Sequence, residues 1–255
     1  MLETAKRAAL KAGEKIISLR QKGLTFKGKK RVGDFTTQAD IASETIILDL
    51  LREKFPKHNF VSEEKGELNN HSEYTWIIDP IDGTIPFSSG MPSFGISIGL
   101  IKGNEPVLGV IYLPVLDYLV WAEKDKGSYI NGKKISVGEG KGLLKSVIGF
   151  EFGYVGTRNL EIKKLLSPVV DRVRYTPVLG STVVGLSYVA NGTLDAYIHS
   201  AHPWDFAAGA VIIKEAGGKV TDYKGKPIDW SKDWIDVLAS SGIIHNKILN
   251  LINKR

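Results

Sequence analysis

At 255 residues, 43% of them hydrophobic and 24% charged, the chain can bury a full core and has the balance of an ordinary folded domain, not of a disordered or membrane-spanning one. It has no cysteine, which excludes disulfides, thiolate metal sites and a cysteine nucleophile. The net charge of +6 is spread along the chain, apart from the short cluster Lys27, Lys29, Lys30 and Arg31. That spread argues against a nucleic-acid surface and for a modest positive field that draws in phosphorylated small molecules.

Residues 2–21 have helical spacing, with Leu2, Ala5, Ala9, Gly13, Ile16 and Ile17 on one face and Gly23 as C-cap. They lack the apolar run of a signal peptide, and no stretch of the chain is apolar enough to span a bilayer. We therefore expect a cytoplasmic protein with no membrane partner. Residues 24–37 read as a hairpin whose Lys/Gly-rich turn leads toward Asp40. A second helix follows to about residue 54, with Ile41, Ile46, Ile47, Leu50 and Leu51 facing the core and Pro56 stopping it. Thr37 is a candidate N-cap and Asp40 its capping-box partner. Residues 60–62 are a short strand ending in the carboxylates Glu63 and Glu64.

The stretch Trp76-Ile77-Ile78-Asp79-Pro80-Ile81-Asp82-Gly83-Thr84 carries the most chemistry. It opens as an apolar strand, which Pro80 is expected to end because it has no N–H for the ladder. Asp79 and Asp82 then face one point across a tight bend, with the Ile81 carbonyl between them. Such an all-oxygen set suits Mg²⁺. Gly83 and Thr84 offer N–H groups and a hydroxyl beside it, as a phosphate needs. The plain alternative is a β-turn built from ordinary turn formers.

Residues 92–102, 106–112, 118–123 and 128–130 continue as an antiparallel meander, with Asn131-Gly132 as a type I′ hairpin signal. Residues 143–150 begin a second half, 158–170 read as a helix and 172–175 as a short strand. Gly180-Ser181-Thr182 opens a helix to residue 190, and 195–199 are a strand. Pro203 opens a helix through residue 216, with Asp205 in its first turn, where the dipole favours a carboxylate. A strand at 236–239 and a helix at 243–252 close the chain. This order predicts layered α/β architecture, with a metal- and phosphate-binding half over residues 1–145, a substrate-recognition half over 146–255, and a cleft between them within one compact unit.

Glu63-Glu64, then Asp79 to Thr84, then Trp204-Asp205-Phe-Ala-Ala-Gly209, in that order, resemble the motifs of the inositol monophosphatase superfamily of Mg²⁺-dependent, often Li⁺-sensitive phosphatases. The resemblance spans the chain. It includes members of the archaeal type that act on both fructose 1,6-bisphosphate and inositol 1-phosphate. It implies an αβαβα sandwich, usually dimeric, that hydrolyses phosphate monoesters. Two or three Mg²⁺ ions, with Mn²⁺ as a substitute, are then expected. Glu63, Asp79 and the Ile81 carbonyl hold one; Asp79, Asp82 and Asp205 hold a second; Glu63, with Asp40 through water, supports a third. Thr84 and Glu63 orient the attacking water, and Gly83 and Thr84 cradle the phosphate.

The resemblance also places Gly180, Ser181 and Thr182 at substrate-binding positions. Arg158, Arg172 and Arg174 are candidates for a second phosphate and Tyr175 for the sugar. It points to residues 27–34 as a lid. Pro86 stands where relatives retain an N–H, so the loop 85–90 is expected to differ. Ile198 occupies the position of an acid that inositol-specific relatives use for sugar hydroxyls, which favours fructose 1,6-bisphosphate as substrate. A 3′(2′),5′-bisphosphate nucleotidase and an idle relative that binds protein or RNA are the alternatives.

Overall fold

The computed structural model describes residues 1–29, 34–140, 142–153 and 155–254. The first part holds α1 (Leu2–Lys22), β1 (Phe26–Gly28), β2 (Phe35–Thr37), α2 (Gln38–Lys54), β3 (Asn59–Ser62), β4 (Gly66–Leu68), β5 (Tyr74–Asp82), α3 (Thr84–Ser88), β6 (Gly95–Lys102), β7 (Glu105–Leu113), β8 (Tyr118–Glu123), β9 (Ser128–Ile130) and β10 (Lys133–Ile135). After a 3₁₀ turn at Leu143–Lys145 come β11 (Ile148–Phe150), α4 (Arg158–Glu161), a π turn (Ile162–Leu166), α5 (Ser167–Val170), α6 (Thr182–Ala190), β12 (Ala196–Ala201), α7 (Pro203–Glu215), β13 (Lys219–Thr221), β14 (Ile235–Ser240) and α8 (His245–Ile252).

Period-two alternation in the strands separates three cores and so stacks five layers. Strands β4 to β10 with β3 form one eight-stranded sheet in the order β10-β9-β8-β7-β6-β5-β3-β4. Trp76 and Ile78 of β5, with Ile96, Ile98 and Leu100 of β6, face α1 and α2, where Ala5, Ala8, Ala12, Ile16, Ile47 and Leu51 cover them. Ile77 and Ile111 point the other way, toward Val183 and Leu186 of α6 and Phe206 and Ile213 of α7. Beneath those helices lies the four-stranded sheet β11-β12-β14-β13, which contributes Tyr197, Val237 and Ala239 to the same core. Its far face, with Phe150, Ile198 and Leu238, packs on Leu165, Val169 and the α8 residues Ile248 and Ile252. The helix α7 lies very close to the large sheet. A Cβ on Gly109 of β7 would meet the Ala208 carbonyl oxygen at 2.2 Å, so only glycine permits this approach.

Several expectations change. The strand β5 does not stop at Pro80; it runs on to Asp82 through an irregularity in its pairing with β6 between Asp79 and Asp82, and a bulge tolerates the missing N–H. Ile41 is 44% exposed, because α2 buries the Asp40, Ser43, Glu44 and Ile47 face instead. The second half begins with a 3₁₀ turn at residues 143–145 and the strand β11. The expected helix over 158–170 is interrupted by the π turn. Residues 172–175 contribute one isolated bridge, Tyr175 to Val147, and no strand. The loop 85–90 begins as the helix α3, in whose first turn Pro86 forfeits no intrahelical bond. The short strands β4, β10 and β13 have too little periodicity to read from sequence. The first arm of the expected 24–37 hairpin begins at Phe26 and its second at Phe35; residues 30–33 lie outside the described residues.

Candidate active site

The parallel pairing of β3 with β5 aligns Ser62 with Ile78, so the residue after each strand pair is an acid: Glu63 beside Asp79. The Glu63 N–H donates to the Ile78 carbonyl at 3.3 Å, which fixes the end of β3 beside Asp79 of β5. Asp79 is 2% and Asp82 5% exposed. In the bulge, the Ile81 N–H donates to Asp79 Oδ1 at 2.9 Å, and the Thr84 hydroxyl donates to the Ile81 carbonyl at 3.2 Å. On the opposite side, the Ser97 hydroxyl of β6 donates to the Trp204 carbonyl at 3.0 Å, and Ser97 is the register partner of Asp79. That bond seats the start of α7, and therefore Asp205, over Asp79.

Asp79, Asp82 and Asp205 each offer an oxygen within 4.8 Å of the others'. Burial pushes the Asp79 and Asp205 carboxyls well above their ordinary range, and their mutual repulsion with Asp82 and Glu63 pushes further. Burial likewise raises Asp82, against the hydrogen bonds it accepts. Three carboxylates this close are expensive to ionise together unless a cation joins them. An all-oxygen donor set of this density fits a hard divalent ion such as Mg²⁺.

Each acid is held by its own neighbourhood. The Ser181 hydroxyl donates to Asp82 Oδ2, and the Val183 N–H at the start of α6 donates to the same oxygen at 2.9 Å. Lys29 Nζ lies 2.7 Å from Glu63 Oε1 and 2.6 Å from Glu64 Oε1. Burial raises Glu63 to about 7, and the lysine opposes that rise. Asp40 is 1% exposed. Its Oδ2 accepts the Thr37 N–H at 2.8 Å and the Thr37 hydroxyl at 2.6 Å, the expected capping box. Burial lifts its carboxyl to about 6.

Glu63, Asp79, Asp82 and Asp205 form the floor of a cavity of about 340 Å³. Glu63, Asp79, Ile81, Asp82, Gly83, Thr84, Gly180 and Asp205 line it, and Arg158 stands at its wall. Gly83, at φ 87°, packs so tightly that a Cβ would lie 2.8 Å from the Ser93 carbonyl and 3.1 Å from that of Gly180. Ser181 and Thr182 stand just behind the wall: Ser181 braces Asp82, and Thr182 Oγ1 lies 2.9 Å from His199 Nδ1. Among the described residues, Asp40, Arg172, Arg174 and Tyr175 are not part of the lining. Arg172 turns back to donate to the Pro168 carbonyl at 2.8 Å, and Tyr175 is 63% exposed. Ile198 is buried in the far core; on the same strand it is His199 and Ala201 that face the cavity.

Two contributors escaped the sequence reading. Glu151 follows β11 directly, and its Oε1 accepts the N–H groups of Leu179 and Gly180, both at 2.7 Å. It therefore holds the turn that carries Gly180 and Ser181, and burial raises its carboxyl to about 7. The second is an aromatic rim of His202, Trp204 and Trp234. The His-Pro-Trp-Asp run hints at part of it, but Trp234 comes from a loop with no periodic signal.

The layered sheets and the carboxylate floor define an α/β sandwich with an acidic cluster that could hold a metal ion. The model of the inositol monophosphatase family matches residues 1–255. A "Fructose-1,6-bisphosphatase/inositol-1-monophosphatase" from Aquifex aeolicus is 37% identical, covering 99% of this chain and 95% of its own. The structure of extragenic suppressor protein suhB from Bartonella henselae superposes with a TM-score of 0.92 at 31% identity, covering 99% of this chain and 98% of that one. The Thermotoga maritima IMPase gives 0.88 at 32%, covering 98% and 96%. The chain belongs to the inositol monophosphatase family, a family of metal-dependent phosphoric monoester hydrolases.

Proposed function

We propose that the chain hydrolyses phosphate monoesters of sugars and polyols, with fructose 1,6-bisphosphate and inositol 1-phosphate as its substrates. The observation that carries this is the trio Asp79, Asp82 and Asp205, with oxygens within 4.8 Å at the floor of a cavity. The named relatives support the substrate class.

Mg²⁺ is the ion, two or three per site, with Mn²⁺ as substitute. Glu63, Asp79 and the Ile81 carbonyl would hold one ion, and Asp79, Asp82 and Asp205 another. Such ions would supply positive charge to offset the phosphate and to lower the pKa of a water. The protein's own groups do the rest. Gly83 and Thr84 bind the phosphate. The Thr84 hydroxyl and Glu63 orient the nucleophilic water. Ser181 and the Val183 N–H hold Asp82 in one orientation, and Glu151 holds the turn that carries Ser181. Arg158, the arginine at the cavity wall, faces the distal part of the substrate. The cavity draws its walls from both sides of residue 145, which supports a metal-binding half over 1–145 and a recognition half over 146–255. Cytoplasmic location and a homodimer complete the proposal on the strength of the family resemblance.

Phosphate release from inositol 1-phosphate and fructose 1,6-bisphosphate, with Mg²⁺ and then with excess EDTA, tests the reading. Turnover lost in EDTA and restored by Mg²⁺ is expected. Metal-independent turnover, or none on either ester, overturns it.

A further inference from the structure

Glu63 and Asp79 lie side by side on the cavity floor but come from different strands. Glu63 stands in the turn between β3 and β4, whose ends pair Ser62 with Gly66, and β4 is a three-residue edge strand exposed throughout. Asp79 stands where the pairing of β5 with β6 becomes irregular, between Asp79 and Asp82. An edge turn and a bulge are weakly held parts of a sheet, because each lacks a complete ladder. Beyond the single bond from the Glu63 N–H to the Ile78 carbonyl, the placement of one acid against the other needs support from outside the sheet.

Two adjacent residues of α2 supply it, and both are fully buried. The Ser43 hydroxyl donates to the Pro80 carbonyl at 2.8 Å, inside the bulge that separates Asp79 from Asp82. Glu44 Oε1 accepts the N–H groups of Glu64 and Lys65, each at 3.0 Å, and these are the two residues that follow Glu63. One carboxylate oxygen thus ties down a turn through consecutive N–H groups, as Glu151 does for the Gly180 turn on the other wall. Glu44 Oε2 is buried without a hydrogen-bond partner among the described residues. A buried carboxylate with one oxygen unbonded is costly, and what offsets the cost here is the pair of N–H groups it holds. The helix that carries both side chains is 17 residues long and closed at its start by the Thr37–Asp40 box, so the spacing between the two attachment points is rigid.

We propose that Ser43 and Glu44 are positioning residues: through them α2 sets Glu63 relative to Asp79, and so sets the affinity for the divalent cation these two acids share. The inference deepens the phosphatase reading and rests on its assignment of Glu63 and Asp79 to one ion. Neither Ser43 nor Glu44 lines the cavity, and their effect passes through the main chain. Ser43 holds the carbonyl next to Asp79, and Glu44 holds the N–H groups next to Glu63. Mg²⁺ demands short bonds in near-ideal octahedral geometry, so a small shift of one carboxylate registers as lost affinity. Removing a group that orients a metal ligand weakens binding about ten- to a hundredfold.

The test measures Mn²⁺ binding to metal-stripped protein by electron paramagnetic resonance, with no substrate present, and the Mg²⁺ concentration that half-activates hydrolysis of inositol 1-phosphate. Wild type, Ser43→Ala, Glu44→Ala, Glu44→Gln and Thr45→Val are compared, and melting temperatures check folding. Glu44→Ala is expected to raise the Mn²⁺ dissociation constant and the half-activating Mg²⁺ about tenfold or more, with KM for the ester at saturating Mg²⁺ within about twofold of wild type. Ser43→Ala should move the same two readouts in the same direction. Glu44→Gln, whose amide oxygen still accepts both N–H groups, should recover most of the loss; Gln as weak as Ala assigns the effect to charge and overturns the positioning role. Thr45→Val removes the next hydroxyl along α2, a half-buried group that accepts from Lys65 Nζ at 3.0 Å, and should leave metal binding unchanged. A loss there as deep as in Glu44→Ala would mean that α2 is merely weakened, and would also overturn the proposal. Wild-type Mn²⁺ affinity in a folded Glu44→Ala overturns it directly; should that variant not fold, wild-type affinity in Ser43→Ala does so. Wild type that binds no Mn²⁺ at all would instead sink the metal-site reading on which the phosphatase proposal stands.

Discussion

Asp40 and Asp205 both sit in the first turn of a helix, and the sequence offers each as a site acid. Their fates differ. Asp40 gives one oxygen to the N–H and hydroxyl of Thr37 and closes its own helix. Asp205 has no serine, threonine or asparagine before it to cap. Pro203 opens its helix, the Asp205 N–H donates to the His202 carbonyl at 3.2 Å, and the Asp205 carboxylate, which takes only a backbone hydrogen bond from His202 locally, lies with Asp79 and Asp82. Two carboxylates at matching helix positions part because one finds a side-chain donor within its own turn and the other meets further acids that the tertiary fold brings to it.

The largest effect that sharpens this contrast is on turnover. Asp205→Asn or Asp79→Asn is expected to lower kcat about a thousandfold or more, because each removes charge from the cluster that a cation needs. Without metal, either variant should melt a few degrees higher, since one repelling charge is gone. Steady-state kinetics and thermal melts in EDTA check both. Near-normal activity in Asp205→Asn would erase the distinction from Asp40.

Next is Glu151. Glu151→Ala strands two backbone N–H groups behind the Gly180 turn and should raise KM or lower kcat about tenfold or more. Glu151→Gln, whose amide oxygen still accepts, should recover most of that loss. If Gln is no better than Ala, charge and not the strut is what matters.

A pH scan separates the acids by stability. A carboxyl whose pKa is higher in the folded than in the unfolded chain holds its proton more tightly when folded. Its stabilising contribution is full below the unfolded value near 4 and is lost as pH rises through the folded value. Asp40 reaches about 6 and Glu63 about 7, with Asp79 and Asp205 also raised. In EDTA the melting temperature should therefore fall as pH climbs from about 4 to above 7. Mg²⁺ should flatten or reverse that fall, because the ion binds the ionised cluster. A flat profile in EDTA would mean the acids are hydrated and not coupled.

The smallest effect belongs to the cap. Asp40→Ala should cost about 1 kcal/mol of stability, with turnover falling far less than in Asp205→Asn. A loss of turnover as deep as Asp205's would move Asp40 from helix cap to site.

The sequence by itself determined the elements whose pattern is local: the amphipathic α1, the Thr37–Asp40 cap, the meander with its Asn131-Gly132 turn at positive φ, and the order of the acidic motifs. These follow from spacing and from side chains that bond within a few residues. Only the tertiary structure decided what depends on two distant segments meeting. The β3–β5 register puts Glu63 beside Asp79, the Ser97–Trp204 bond sets Asp205 over them, and Lys29 reaches Glu63 and Glu64 from a hairpin 34 residues earlier than Glu63. The same reason explains the misses. Pro80 continues its strand because a neighbouring strand absorbs a bulge. Arg172 and Tyr175 stay outside the cavity because residues 172–175 make a single bridge instead of a strand. Glu151 and Trp234 had no local pattern to give them away, because each acts on groups that are near only in space.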